Sequence, residues 1–132
     1  MAYFRPRVSR EAEVRYHADR EIAKNVPDLL RKAVEAERRL VDLRTSGAPL
    51  EQVREAALEY DRALADALRA AEAAQRAAAG VKAYDSRIAR RKAKSTPEGA
   101  FWAAEVHRLR TLREAHRLNG IPRVPRHVPS AR

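Results

Sequence analysis

The sequence predicts an all-α chain: an elongated antiparallel helical hairpin, coiled-coil-like, with flanking N- and C-terminal helices and extended basic arms. Three observations carry that expectation. Two apolar runs repeat at heptad spacing, a short break containing Gly and Pro separates them, and nothing alternates with the period of two that a strand needs.

The first run is Val26, Leu29, Ala33, Ala36, Leu40 and Leu43, spaced 3, 4, 3, 4, 3. The second is Leu50, Val53, Ala57, Tyr60, Leu64, Ala67, Ala71, Ala74 and Ala78, with the same alternation. Alanine inflates such counts after residue 63, but Leu50 to Leu64 does not depend on it. Between the runs stands Thr45-Ser46-Gly47-Ala48-Pro49. Gly47 suits a left-handed C-cap and Pro49 suits the first turn of the next helix. A break this short between two seams makes the helices fold back on each other, with the tip near Gly47.

The remaining elements follow from capping. Ser9 is a fair N-cap, and Glu11 and Glu13 favour a first turn, so residues 10–24 are expected helical. The apolar face there is thin: Ala12, Tyr16 and Ala23. Asn25, Pro27 and Asp28 read as the next helix start, with Asn25 as cap. The second arm either stops at Gly80 or runs on through it, since Val81 and Ile88 keep the seam spacing. Ser95 and Glu98 form a capping box, which opens a helix with the stripe Trp102, Val106, Leu109, Leu112 and His116. Asn119-Gly120 closes it. Pro122, Pro125 and Pro129 forbid helix beyond. The expected organisation is therefore 1–8 extended arm, 9–25 N-terminal helix, 26–94 helical hairpin, 95–120 C-terminal helix and 121–132 Pro- and Arg-rich tail.

Composition limits what such a chain does. Of 132 residues, 27 are Ala and 23 are Arg, and Leu, Ile, Val and Phe together number 26. Alanine buries little apolar area, so a thick core is not expected and a long helical shape, or order lent by a partner, fits better. With no Cys, disulfides and thiolate chemistry are excluded. The most apolar stretch, Ala63 to Ala79, is interrupted by Asp66, Arg69, Glu72 and Arg76 and is too charged to span a bilayer. The N-terminal arginines precede no apolar run, so no secretory signal is expected. Arg and Ala dominance hints at GC-rich coding, as in a high-GC bacterium or its phage.

Catalytic chemistry finds no foothold. His17, His107, His116 and His127 show no metal-ligand spacing, and the four glycines form no phosphate loop. The histidines read as surface or packing residues. Glu51, Glu55, Glu59, Asp66 and Glu72 read as a solvated helix face laced with Arg54, Arg62, Arg69 and Arg76 three or four residues away. Phe101 and Trp102 are adjacent, so they point about 100° apart on a helix and do not both bury in one shallow seam. Packing is the expected use of Trp102, with base stacking as the alternative.

The charge distribution is more informative. The net charge is +10, and residues 80–132 alone carry +9. Arg87, Arg90, Arg91, Lys92 and Lys94 fall within eight residues, and Arg110, Arg113 and Arg117 repeat at helical spacing. These eight side chains are the candidate surface for a polyanion or an acidic partner. Tyr3, Phe4, Arg5, Arg7, Arg123 and Arg126 sit in short, proline-containing basic ends, of the kind that gains order by lying on a neighbour. The expected function is non-enzymatic: a structural or assembly component of a large complex such as a virion or a nucleoprotein particle, docking through the hairpin and the arms. The alternative is a sequence-nonspecific nucleic-acid-binding protein using the basic C-terminal helices. Expected partners are protein subunits of a larger assembly, further copies of the chain among them, and DNA or RNA in the alternative. No membrane, no small-molecule substrate, no cofactor and no metal are expected. The expected location is cytoplasmic or virion-associated, and not secreted.

Overall fold

A computed structural model describes residues 8–123. The described chain is all-helical, with five α-helices: α1 (Arg10–Ala23), α2 (Val26–Thr45), α3 (Leu50–Ala78), α4 (Arg87–Lys94) and α5 (Pro97–Asn119). A 3₁₀ turn, Val81–Tyr84, joins α3 to α4. No helix is long and apolar enough to cross a membrane among the described residues.

The central element is α3, whose 29 residues span about 43 Å at 1.5 Å per residue. Both apolar seams are used. Val26, Ala33, Ala36 and Leu40 of α2 are buried, as are Val53, Ala57, Tyr60, Leu64, Ala67, Ala71 and Ala74 of α3. The contacts place α2 against α3: Val26 clusters with Ala70 and Ala74, Tyr60 Oη donates to Glu37 at 2.7 Å, and Arg39 meets Glu59 at 3.1 Å. Leu50 departs from the seam expectation: it is the first residue of α3 and is half exposed.

More of α3 is buried than one seam provides. Ala56, Ala65, Leu68, Ala70 and Ala73 are also covered. Helix α1 packs on α3 near its C-terminal end, and α5 packs along it through Val106 and Leu109. An alanine-rich helix permits this, since its methyl groups let three neighbours approach closely. The core is correspondingly made of many small contributions; Leu64 and Leu109 are its largest fully buried side chains.

The caps refine the expected boundaries. Ser9 Oγ accepts from Ala12 N at 3.1 Å, as its position suggests. Asn25 makes no side-chain cap, because its backbone is already helical (φ −85°, ψ −7°), and α1 turns into α2 with little interruption. At the far end of α2, Ala48 N donates to Leu43 O at 3.0 Å and Gly47 N to Arg44 O at 3.2 Å, a Schellman pair around left-handed Gly47 (φ +70°). Pro49 is the N-cap of α3 rather than a first-turn residue, with extended backbone (φ −54°, ψ 146°). The expected Ser95–Glu98 box gives way to Thr96, whose Oγ1 accepts from Gly99 N at 3.0 Å. Ser95 is instead the last residue of the preceding turn, its Oγ donating to Lys92 O. In the α5 stripe Leu112 lies outside, 39 % exposed, while Val106, Leu109 and His116 are buried.

Gly80 ends α3. Its φ of +88° is a conformation that L side chains rarely adopt, and it swings the chain off the α3 axis. Ile88, which would have continued the seam, is therefore 69 % exposed. Gly47→Ala is the simplest probe of these turns. A Cβ there meets nothing within 4 Å, so the cost is backbone strain alone, about 1 kcal/mol. A urea melt followed by circular dichroism is expected to show that loss, with Gly47→Asn falling between the two.

Candidate functional site

The residues with chemistry to offer gather at the corner where α1, the end of α3, the 3₁₀ turn and α4 meet. The sequence builds this corner locally. Ser86 caps α4 with Oγ accepting from Ala89 N at 3.2 Å. Arg91, Lys92 and Lys94 occupy its last turn, where cations are favoured by the helix dipole. Arg90 reaches back, Nη1 donating to Ala83 O at 2.9 Å, and so ties α4 to the 3₁₀ turn. Asp85 is held by Ser9, which donates from its backbone N at 2.7 Å and from Oγ at 2.9 Å. Those bonds, the backbone one foremost, hold the Asp85 carboxyl below its usual pKa.

Behind α4 lies a buried cluster that pattern reading passed over. Asp19 is 8 % exposed. Arg76 donates to it twice, Nε to Oδ2 at 2.9 Å and Nη2 to Oδ1 at 3.1 Å, and Tyr84 Oη donates to Oδ2 at 2.6 Å. Burial works against the charge on Asp19, but the bonds from Arg76 and Tyr84 outweigh it, and its pKa is lowered. Tyr84 is pushed upward, first by burial and then by its bond to the carboxylate. The signal was present in the sequence. Ala12, Tyr16, Asp19, Ala23 and Val26 are spaced 4, 3, 4, 3, so Asp19 fills a seam position of an otherwise apolar face. An acid at such a position needs a cation opposite.

The two expected arginine rows separate. Arg110 meets Glu72 at 3.4 Å, Arg113 meets Asp61 at 3.2 Å and Arg117 lies 4.0 Å from Asp61. That row thus lies against carboxylates of the chain's own α3, with Arg110 and Arg117 still more than half exposed. The same contacts replace part of the lacing expected along α3: Glu72 pairs with Arg110 rather than Arg76, and Glu59 with Arg39 rather than Arg62. Only Asp66–Arg69, at 3.5 Å, keeps its i,i+3 pairing in α3 among the described residues. In α4, by contrast, Arg87, Arg90, Arg91, Lys92 and Lys94 are all exposed, and none forms an ion pair among the described residues. At 100° per residue the order around α4 is Arg90, Lys94, Arg87, Arg91 and Lys92, so Arg90 and Lys94 lie to one side and Arg91 and Lys92 to the other.

Arg123 is exposed. Tyr3, Phe4, Arg5, Arg7 and Arg126 lie outside the described residues. His116 is a packing residue: its ring meets Tyr60 edge-on at 4.6 Å, and Nε2 donates to Ala57 O at 2.7 Å. Trp102 is half-buried against the core, while Phe101 is 57 % exposed and touches it edge-on at 5.0 Å. Among the described residues no group of three or more His, Asp or Glu side chains is placed to hold a metal ion. Comparison of the chain with protein-family models, with curated proteins and with solved structures found no match.

Proposed function

We propose that the protein is a non-enzymatic component of a nucleoprotein assembly, and that the outer face of α4 is the surface that meets the nucleic-acid backbone. The observation that supports this reading is the contrast between the two arginine rows. Arg110, Arg113 and Arg117 share two carboxylates of α3, Glu72 and Asp61, whereas Arg87, Arg91 and Lys92 are exposed with no carboxylate on them. A short helix carrying cations at this density, with no acid between Asp85 and Glu98, tracks a line of phosphates. Helices α2 and α3 are read as an antiparallel hairpin of coiled-coil type that holds the corner rigid. The basic segments before residue 8 and after residue 123 are read as arms laid on neighbouring subunits. Recognition is insensitive to sequence, because arginines on phosphates set position and not base identity.

Filter binding of random duplex and of RNA across a salt series tests the reading. The expected result is submicromolar affinity at low salt that falls steeply as salt rises. Arg87→Gln, Arg91→Gln and Lys92→Gln together are expected to flatten the slope of log affinity against log salt by about three units. Arg110→Gln with Arg117→Gln, on the row already paired to α3, is expected to change it by less than about one unit. Salt-insensitive binding, or none, overturns the reading and leaves docking between protein subunits as the function of this corner.

A further inference from the structure

Beneath the outer face of α4 lies an open cleft of about 320 Å³. Four cations from three helices line it: Arg15 of α1, Arg76 of α3, and Arg90 and Lys94 of α4. No carboxylate is among its lining residues; Asp19 stands behind Arg76 and cancels one of the four charges. The rest of the wall is mostly apolar, Ala79, Ala83, Ala93, Gly99 and the ring of Tyr84, with Gln75 as its one further polar side chain. A volume of this order holds a small organic molecule, not merely an ion.

We propose that this cleft is a receptor for a phosphate monoester of nucleotide size. The donors remaining after the internal bonds suit it. Arg76 uses Nε and Nη2 on Asp19, which leaves Nη1 free to donate. Arg90 uses Nη1 on Ala83 O, which leaves Nε and Nη2. Arg15 lies over the Tyr84 ring, 5.7 Å from its centroid, and neither it nor Lys94 forms an ion pair among the described residues. Two of the guanidinium groups are therefore held in place before any ligand arrives, which lowers the ordering cost of binding. A net charge of three on the wall matches a phosphate dianion better than a single carboxylate, and planar guanidinium forks match phosphate oxygens. The apolar floor takes the organic body. The site shares α4 with the nucleic-acid surface, but Arg15 belongs to the cleft alone, and Arg87, Arg91 and Lys92 belong to the outer face alone.

Titration calorimetry on the full chain, with adenosine 5′-monophosphate, adenosine and inorganic phosphate as probes, tests the proposal. Adenosine 5′-monophosphate is expected to bind saturably and to weaken with salt, inorganic phosphate to bind more weakly, and adenosine to show no binding in the same range. Arg15→Gln with Lys94→Gln is expected to lower the affinity by at least about tenfold, because each removes a charge-assisted contact. The triple change at Arg87, Arg91 and Lys92 is expected to leave it within about twofold, so that failure of the polymer reading and failure of this one are told apart. Ala79→Phe, which fills the cleft without changing charge, is expected to lower the affinity as well. Oligonucleotides distinguish the source. A preference of similar size for a 5′-phosphorylated over a 5′-hydroxyl strand assigns the cleft to a nucleic-acid end; its absence assigns it to a free nucleotide. Equal binding of adenosine and its monophosphate overturns the proposal. So does unchanged affinity in the Arg15/Lys94 variant, an equal loss in the outer-face variant, or no binding at millimolar concentration.

Discussion

Leu109→Ala is expected to destabilise the protein by about 3 kcal/mol, within the usual range for a buried leucine cut to alanine. Leu109 is 1 % exposed and belongs to the cluster that joins α5 to α3 and α2. Half of the other buried members of that cluster are alanines, such as Ala57, Ala67 and Ala71, which cannot lean into the space it leaves. For a chain of this size the loss corresponds to a fall in Tm of roughly 10 °C. Against a total stability of about 5–15 kcal/mol, this is a large fraction. Circular dichroism melts and urea titrations of the full chain measure it. The result also reads the architecture. If α5 were an arm resting loosely on a two-helix stem, the same change would cost less than about 0.5 kcal/mol, as exposed substitutions do.

Asp19→Ala is expected to cost about 2 kcal/mol at neutral pH. Breaking a fully buried pair costs about 3–5 kcal/mol, but the Arg76 side chain is half exposed and water recovers part of the loss. Tyr84 Oη and the Arg76 guanidinium lose their acceptor together, so the 3₁₀ turn and the wall of the cleft loosen as well. The effect depends on pH in a defined direction. The folded-state pKa of Asp19 is lowered, so the charged carboxylate is bound more tightly in the folded chain than in the unfolded one. Its contribution is complete above the unfolded value of about 3.9 and is lost as pH falls through the folded value. The stability difference between wild type and Asp19→Ala is therefore expected to be constant from about pH 7 to 5 and to shrink below about pH 4. A difference that grows as the solution is acidified would contradict the ion pair.

Much of the fold was legible because helices declare themselves locally. Ser9 and Gly47 mark ends by their own chemistry, and the seam residues Ala33, Leu40, Val53 and Leu64 are buried where the spacing places them. The candidate site was less legible. Arg110 and Arg113 look identical in sequence to Arg87 and Arg91, yet one pair meets carboxylates of α3 and the other faces outward. That difference depends on which face of α5 turns toward Asp61 and Glu72, which local spacing does not encode. The cleft was invisible for the same reason. Arg15, Arg76 and Arg90 lie far apart along the chain, and only the turn at Gly80 brings α4 back beside α1.

The sequence by itself determined the helical class, the break at Gly47, the concentration of positive charge after residue 80 and the lack of cysteine chemistry. Each is a property of neighbouring residues or of composition. Tertiary structure decided how many helices share α3, which cations are neutralised within the chain and where a cleft opens. The physical reason is the alanine-rich surface of α3. Alanine methyl groups widen its apolar face well beyond the single seam, so how that width is divided is decided by side chains on other helices: Leu109 of α5, Asp19 of α1 and Leu40 of α2.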